Sequence, residues 1–192
     1  MATNQLLLGL FCFTLANSIN MPGGNLLKER AEIYTADAAT EDNCRAAILK
    51  IARAELGVRE LTGKNDGPRV EEYLAVAGLK KGQPWCAAFI SWIFRQEGFH
   101  EPITGWSPSL FPASRLTSKL KAAQVFGIYI PQKKRIAHAG IIERIQGDWY
   151  LSIEGNTNLY GSIEGDGVYR RKRHTKTSYR TADWVKMVKT GW

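Results

Sequence analysis

The sequence predicts an α+β domain in which N-terminal helices pack on one antiparallel sheet. Ahead of residue 100, apolar residues recur at helical spacing, as in Ala46, Ala47, Ile48, Ile51, Ala52 and Leu56. From Val125 onward the period becomes two, and short apolar runs are separated by turn residues such as Gln146-Gly147-Asp148. The chain of 192 residues, 44% apolar and 23% charged, is long enough for one domain with its own core plus a short appendage.

Taken in order, Leu6 to Ala16 is a run of about eleven mostly apolar residues, too short to span a bilayer and of signal-peptide length. Ala16 and Ser18 give a small-x-small cleavage pattern, although no Lys or Arg precedes the run, and Met21 is an alternative start. Residues 1–20 therefore read as a leader, 21–40 as a linker and 41–192 as the folded domain. Thr40-Glu41-Asp42-Asn43 offers N-caps for a first helix that stops at Gly57. Gly63 to Pro68 is a turn-rich loop, and Arg69 to Ala77 is a second helix ended by Gly78.

Gly82-Gln83-Pro84-Trp85 then breaks the chain before a third helix. From Cys86, the residues Phe89, Ile90, Ile93 and Phe94 follow helical spacing, and Glu97-Gly98 supplies the stop. This is an amphipathic helix with Cys86 in its first turn. Free backbone N–H groups and the positive end of the helix dipole favour a thiolate there, the form of cysteine that attacks carbonyls. A small apolar core cysteine is the bland alternative. Trp106-Ser107-Pro108-Ser109-Leu110-Phe111-Pro112 follows as an irregular stretch, whose Trp106 and Phe111 either line a groove or lid the core. Strands are expected at Val125–Ile130, Ile136–Ile145, Trp149–Glu154, Val168–Arg173 and Trp184–Val188.

The three cysteines, Cys12, Cys44 and Cys86, are odd in number and widely spaced, with no Cys-x-x-Cys pair, so neither a disulfide framework nor a zinc site is expected. The net charge of +8 predicts attraction to an anionic partner, without choosing between nucleic acid, acidic lipid and a wall polymer.

His138 stands apart from the other two histidines because it lies within a strand. A turn at Gly147-Asp148 sets His138 opposite Asn156 or Thr157, and Glu154 opposite Gly140 or Ile141. If the register is even, His138, Gly140, Glu154 and Asn156 share a sheet face, with Gly140 leaving room beside the imidazole. Glu154 or Asn156 would then orient the ring, and His138 would serve Cys86 as base. Ser162-Ile163-Glu164-Gly165 echoes Ser152-Ile153-Glu154-Gly155, making Glu164 the competing carboxylate.

Pro84-Trp85-Cys86-Ala87-Ala88-Phe89, His138-Ala139-Gly140-Ile141 and Ile153-Glu154-Gly155-Asn156-Thr157-Asn158 together resemble the CHAP domain family, the cysteine, histidine-dependent amidohydrolases/peptidases of the papain-like NlpC superfamily. The likeness runs from about Arg45 to the end of the chain. It implies a papain-like fold and hydrolysis of an amide bond in bacterial peptidoglycan, either N-acetylmuramoyl-alanine or within the peptide. It also implies Cys86 as nucleophile, His138 as base, and Glu154 with Asn156 as the orienting pair. Gln83 and Trp85 beside the nucleophile, with Trp106 and Phe111, are the candidate substrate contacts.

Relatives often carry Gly-Asp where this chain has Ala123-Gln124, and some bind calcium through an acidic loop that has no comparable Asp cluster here. No metal or cofactor is expected. The expected enzyme is secreted or periplasmic and monomeric, without a transmembrane anchor, with an immunity or inhibitor protein as a candidate partner. The basic run Arg170 to Lys176 reads as a solvated face that would concentrate the protein on an anionic sacculus; it lacks the interleaved aromatics of a nucleic-acid binder. The alternatives are a non-catalytic wall-binding module and a cysteine acyltransferase of the same fold.

Overall fold

The protein's structure, a computed structural model, describes residues 26–160 and 164–185. Helices α1 (Leu26–Ala54), α2 (Pro68–Val76) and α3 (Cys86–Gln96) precede strands β1 (Val125–Ile130), β2 (Arg135–Gln146), β3 (Trp149–Thr157), β4 (Gly167–His174) and β5 (Arg180–Ala182). The strands form one antiparallel sheet in the order β4-β3-β2-β1-β5. The expected α+β order, helices and then strands, is the order found; β1 to β4 form a meander, and β5 returns to pair with β1 at the other edge.

Helix α1 starts earlier than its caps suggest. It extends back to Leu26, through most of the stretch read as a linker, and Thr40 to Asn43 lie inside it. No Gly or Pro interrupts residues 26–54, and Leu26, Leu27, Lys28, Glu29, Arg30 and Ala31 are all strong helix formers. The expected leader, residues 1–20, lies outside the described residues.

The sequence predicts one apolar face for α3, but every residue from Cys86 to Phe94 is buried. A helix covered on all sides is the centre of a layered core. On one side Tyr73 of α2 meets Phe89 and Trp92 edge-on, with ring centroids 5.1 and 5.2 Å apart. On the other, the same core continues into Val125, Ala139, Ile141 and Ile153 of the sheet. The opposite sheet face carries a smaller cluster of Phe126, Ile142 and Tyr150.

The last strand is displaced from its expected position at Trp184–Val188. Strand β5 ends at Ala182, paired with Val125 of β1, while Trp184 is buried and donates from its indole N–H to the Leu110 carbonyl at 3.1 Å. Packing of the ring, rather than strand pairing, explains its apolar neighbourhood; residues 186–188 lie outside the described residues.

Strand β2 contains two irregularities that matter for the site. Against β1, Ile128 faces His138 but Tyr129 faces Ile136, so Ala137 is an extra residue. Against β3, Ile142 faces Ser152 but Arg144 faces Leu151, so Glu143 is an extra residue. Each bulge reverses the inward and outward alternation of everything beyond it.

Candidate active site

Cys86 is the first residue of α3, and Trp85 occupies the N-cap with φ −123° and ψ 10° and no side-chain cap. No acidic residue sits in the first turn. The first-turn N–H groups are thus left to serve an anion at the helix mouth. The Cys86 Sγ lies 3.3 Å from Ser107 Oγ, in the short 3-10 turn Ser107–Leu110.

The Glu143 bulge brings the imidazole and its acceptor together. Next to the hairpin turn the pairs are Gln146 with Trp149 and Ile145 with Tyr150, the odd register. Beyond Glu143 they become Ile142 with Ser152 and Ile141 with Ile153, the even register. Continued one step, Gly140 stands opposite Glu154. A Cβ on Gly140 would fall 2.6 Å from Glu154 Cγ and 2.8 Å from Phe126 Cε1, so the glycine makes room for the carboxylate arm rather than for the ring. The result is a contact of 2.8 Å between His138 Nε2 and Glu154 Oε2. The imidazole also acts on the Cys86 thiol, each favouring the charged form of the other.

Glu154 is wholly buried. Besides His138, it accepts from Ser152 Oγ at 2.5 Å, from Arg173 Nε at 2.9 Å and from Arg173 Nη2 at 2.6 Å. Burial alone would raise its pKa, but the donors from Arg173 and His138 outweigh this and bring it down to about 2. Burial would likewise lower the pKa of His138; its bonds to Cys86 and Glu154 instead raise it to about 9. For Cys86, burial pushes the thiol up, yet His138, the Ser107 hydroxyl and the Ala139 N–H together hold it below its ordinary value. All three shifts favour a thiolate facing an imidazolium, with an ionised carboxylate behind.

The chain matches no family model, no curated protein and no solved structure. The chemistry of the site therefore has to be read from its own geometry. A thiolate at an uncapped helix mouth beside a protonated imidazole can attack an electrophilic carbonyl and protonate the group that leaves. The backbone N–H groups at the start of α3 point to where an oxyanion would form. Among the described residues no group of three or more His, Cys, Asp or Glu side chains is placed to hold a metal ion.

The other residues singled out in the sequence are distributed differently. Asn156, at φ 53°, turns its side chain away from the ring: Oδ1 accepts from the Trp85 N–H at 3.3 Å, and Nδ2 donates to Asn65 Oδ1 at 2.8 Å. Glu154 is thus the residue that holds His138. Trp85 is fully buried, with its indole N–H on Glu60 Oε1 at 2.9 Å, which removes it from contact with a substrate. Phe111 is also buried, its ring packed over Gly127 and Ile136, so it lids the core. Gln83 is exposed and closes its local turn by accepting from the Lys80 N–H at 2.7 Å. Trp106 is 52% exposed, immediately before Ser107. Glu164 is exposed, and its carbonyl accepts from the Asn158 amide.

Ser107 and Arg173 did not stand out in the sequence. The basic run that holds Arg173 is not a plain solvated face: Arg170 grips the buried Glu143 at 2.6 and 2.9 Å, and Arg171 donates to the Asn158 carbonyl. Arg53 of α1 donates to the same Glu143 at 2.7 Å, so the bulge residue is fixed from two elements. Neither Cys44 nor Cys86 is joined in a disulfide. No helix among the described residues is long and apolar enough to cross a membrane.

Proposed function

We propose that the protein is a papain-like cysteine amidohydrolase of the CHAP type, acting on an amide bond of peptidoglycan through an acyl-enzyme on Cys86. The observation that carries the reading is the thiol at the mouth of a buried helix whose pKa is held down by His138, with His138 in turn hydrogen-bonded to the ionised Glu154. The substrate class rests on the motif resemblance and on the net charge of +8, which suits an anionic wall polymer. One further detail supports the resemblance. Ala123, at a position where relatives often carry Gly, sits at φ 62°, a conformation natural to glycine.

In this mechanism the Cys86 thiolate adds to the scissile carbonyl, and the N–H groups at the start of α3 take the developing negative charge. The His138 imidazolium gives its proton to the departing amine, and the C–N bond breaks to leave a thioester. Neutral His138 then removes a proton from water as it attacks the thioester. The carboxylic acid is released and the thiolate–imidazolium pair returns. Glu154 keeps the ring oriented and the imidazolium stable throughout.

Zymography on purified sacculi, comparing the wild type with Cys86→Ala, tests this reading. Clearing is expected from the wild type alone, and equal clearing by both proteins overturns the proposal. Mass spectrometry of the soluble products separates hydrolysis from acyl transfer to an amine.

A further inference from the structure

Next to Ser107 in the chain begins a feature that the reaction itself does not use. The Arg135 guanidinium stacks over the indole of Trp106 at 4.0 Å from the ring centroid, and its Nη1 is tied to the Ile136 carbonyl at 3.0 Å. Arg45, Arg53, Arg69, Arg170 and Arg173 each hold a carboxylate of the protein. Arg135 makes no ion pair among the described residues. A guanidinium carries five N–H donors in a planar fork that matches a carboxylate, and most of that fork remains open here.

The position of the pair is set by the two elements that build the site. Trp106 directly precedes Ser107, whose hydroxyl is 3.3 Å from the Cys86 sulfur. Arg135 precedes His138 by three residues on β2, a separation of about 10 Å along a strand. Three residues of regular strand would set the two side chains on opposite faces. The Ala137 bulge cancels this: His138 pairs with Ile128 and Arg135 with Ile130, and those two β1 residues share a face. The extra residue therefore re-aims Arg135 to the same side as the imidazole. Trp106, exposed yet pinned between Arg135 and the Ser107 turn, holds the guanidinium flat and supplies an apolar wall.

We infer that Arg135 and Trp106 form a subsite for a substrate carboxylate placed near the scissile amide, so that the preferred substrate is an acidic peptide rather than its amidated form. This rests on the reading of Cys86 as the nucleophile and extends it to specificity. The carboxylate would take a bidentate pair from the Arg135 fork, while the adjoining aliphatic part of the residue lies against the Trp106 ring.

The test uses two muropeptides that differ only in a glutamyl α-carboxyl beside the cleaved bond, free in one and carboxamide in the other. The wild type is expected to cleave the free acid with kcat/KM about tenfold to a hundredfold higher. Arg135→Gln should lose this preference, its kcat/KM on the free acid falling toward that on the amide, and Arg135→Lys should keep part of it. Equal kcat/KM on both compounds for the wild type, or an equal loss on both in Arg135→Gln, overturns the subsite. If the wild type cleaves neither compound, the hydrolase reading fails, and calorimetry with the Cys86→Ala protein then decides the subsite separately. Tighter binding of the acid, lost when Arg135→Gln is added, supports it; equal binding of acid and amide removes it.

Discussion

Arg173 donates from Nε and Nη2 to the two oxygens of Glu154, the same carboxylate that accepts from His138. Glu154 is completely buried, and a lone carboxylate in that position would be driven to the neutral form. The guanidinium fork, with Ser152 and His138, fills its acceptor positions and keeps it charged. A cation on β4 thus maintains the anion on β3 that stabilises the imidazolium on β2.

Arg173→Met should therefore be costly in two ways. Removing one partner of a buried ion pair costs about 3–5 kcal/mol, read as a lower urea midpoint. Turnover should fall as well, because a neutral Glu154 no longer favours the imidazolium. Arg173→Lys keeps a charge but cannot reproduce the two-pronged contact, so it should lie between the wild type and Arg173→Met. An Arg173→Met protein with the wild-type midpoint and pH profile would show that the clamp is incidental.

The coupled thiol and imidazole predict a particular pH dependence. In the proposed mechanism activity requires both the thiolate and the imidazolium, so kcat/KM should fall on the alkaline side as His138 loses its proton near pH 9. On the acid side it should fall through a thiol pKa lying below the ordinary cysteine value of 9.0. The rate of iodoacetamide labelling at Cys86 follows the thiolate directly. Its midpoint should rise in His138→Ala, where burial is no longer opposed by the imidazolium. A wild-type midpoint at or above 9.0 would contradict this account. Stability carries the sign of Glu154: its pKa is lowered from 4.5 to about 2, so that contribution is present above pH 4.5 and is lost as the pH drops between those values.

Glu154 and Asn156 are separable by substitution, although both belong to one motif. Glu154→Gln removes the negative charge that supports the imidazolium, and kcat should drop on the order of 10²–10⁴. Asn156→Gly keeps the positive φ accessible and removes the side-chain bonds to Trp85 N–H, Asn65 and Glu60, which hold the backbone ahead of Cys86. Its expected effect is a loss of stability of about 1–2 kcal/mol with an unchanged pH profile. Steady-state kinetics across pH on both variants checks the division; a shifted alkaline limb in Asn156→Gly would return Asn156 to the imidazole.

Much of this arrangement was legible in the chain because the signals were local. Gly147, at φ 59°, and Asp148 mark a hairpin between two alternating runs, and Pro84 with the spacing of Phe89, Ile90 and Ile93 marks a helix that begins at the thiol. What was hidden depends on tertiary packing. The Glu143 bulge leaves no trace in the alternation around it, since its carboxylate is stabilised by Arg53 and Arg170, which are remote in sequence. Arg173 faces Tyr150 in the strand register and reaches Glu154 only diagonally along the sheet, so pairing rules do not reveal the contact. Ser107 lies in a Pro-rich turn without periodicity, and Trp85 looked available to a ligand because burial of an indole with a paired N–H cannot be read from spacing.

Gly140 offers the narrowest test of how the sheet builds the site. Its backbone needs no special conformation, so the reason for glycine is space alone. A methyl group there would lie 2.6 Å from Glu154 Cγ and 2.8 Å from Phe126 Cε1, closer than packed carbon atoms approach. Neither neighbour yields easily. Phe126 is fully buried and meets Tyr150 at a ring-centroid distance of 5.1 Å, and Glu154 is held by Arg173, Ser152 and His138. Gly140→Ala should cost about 1–3 kcal/mol through overpacking and displace the carboxylate from the imidazole. Since the 2.8 Å contact with His138 is what supports the imidazolium, kcat should fall more than the loss of folded protein accounts for, and the alkaline limb of the pH profile should move down. Adding Phe126→Leu should recover part of the stability by giving the methyl room on one side, without restoring the carboxylate on the other. Should Gly140→Ala keep wild-type turnover and pH profile, the close approach of Gly140 and Glu154 would not be what aligns His138.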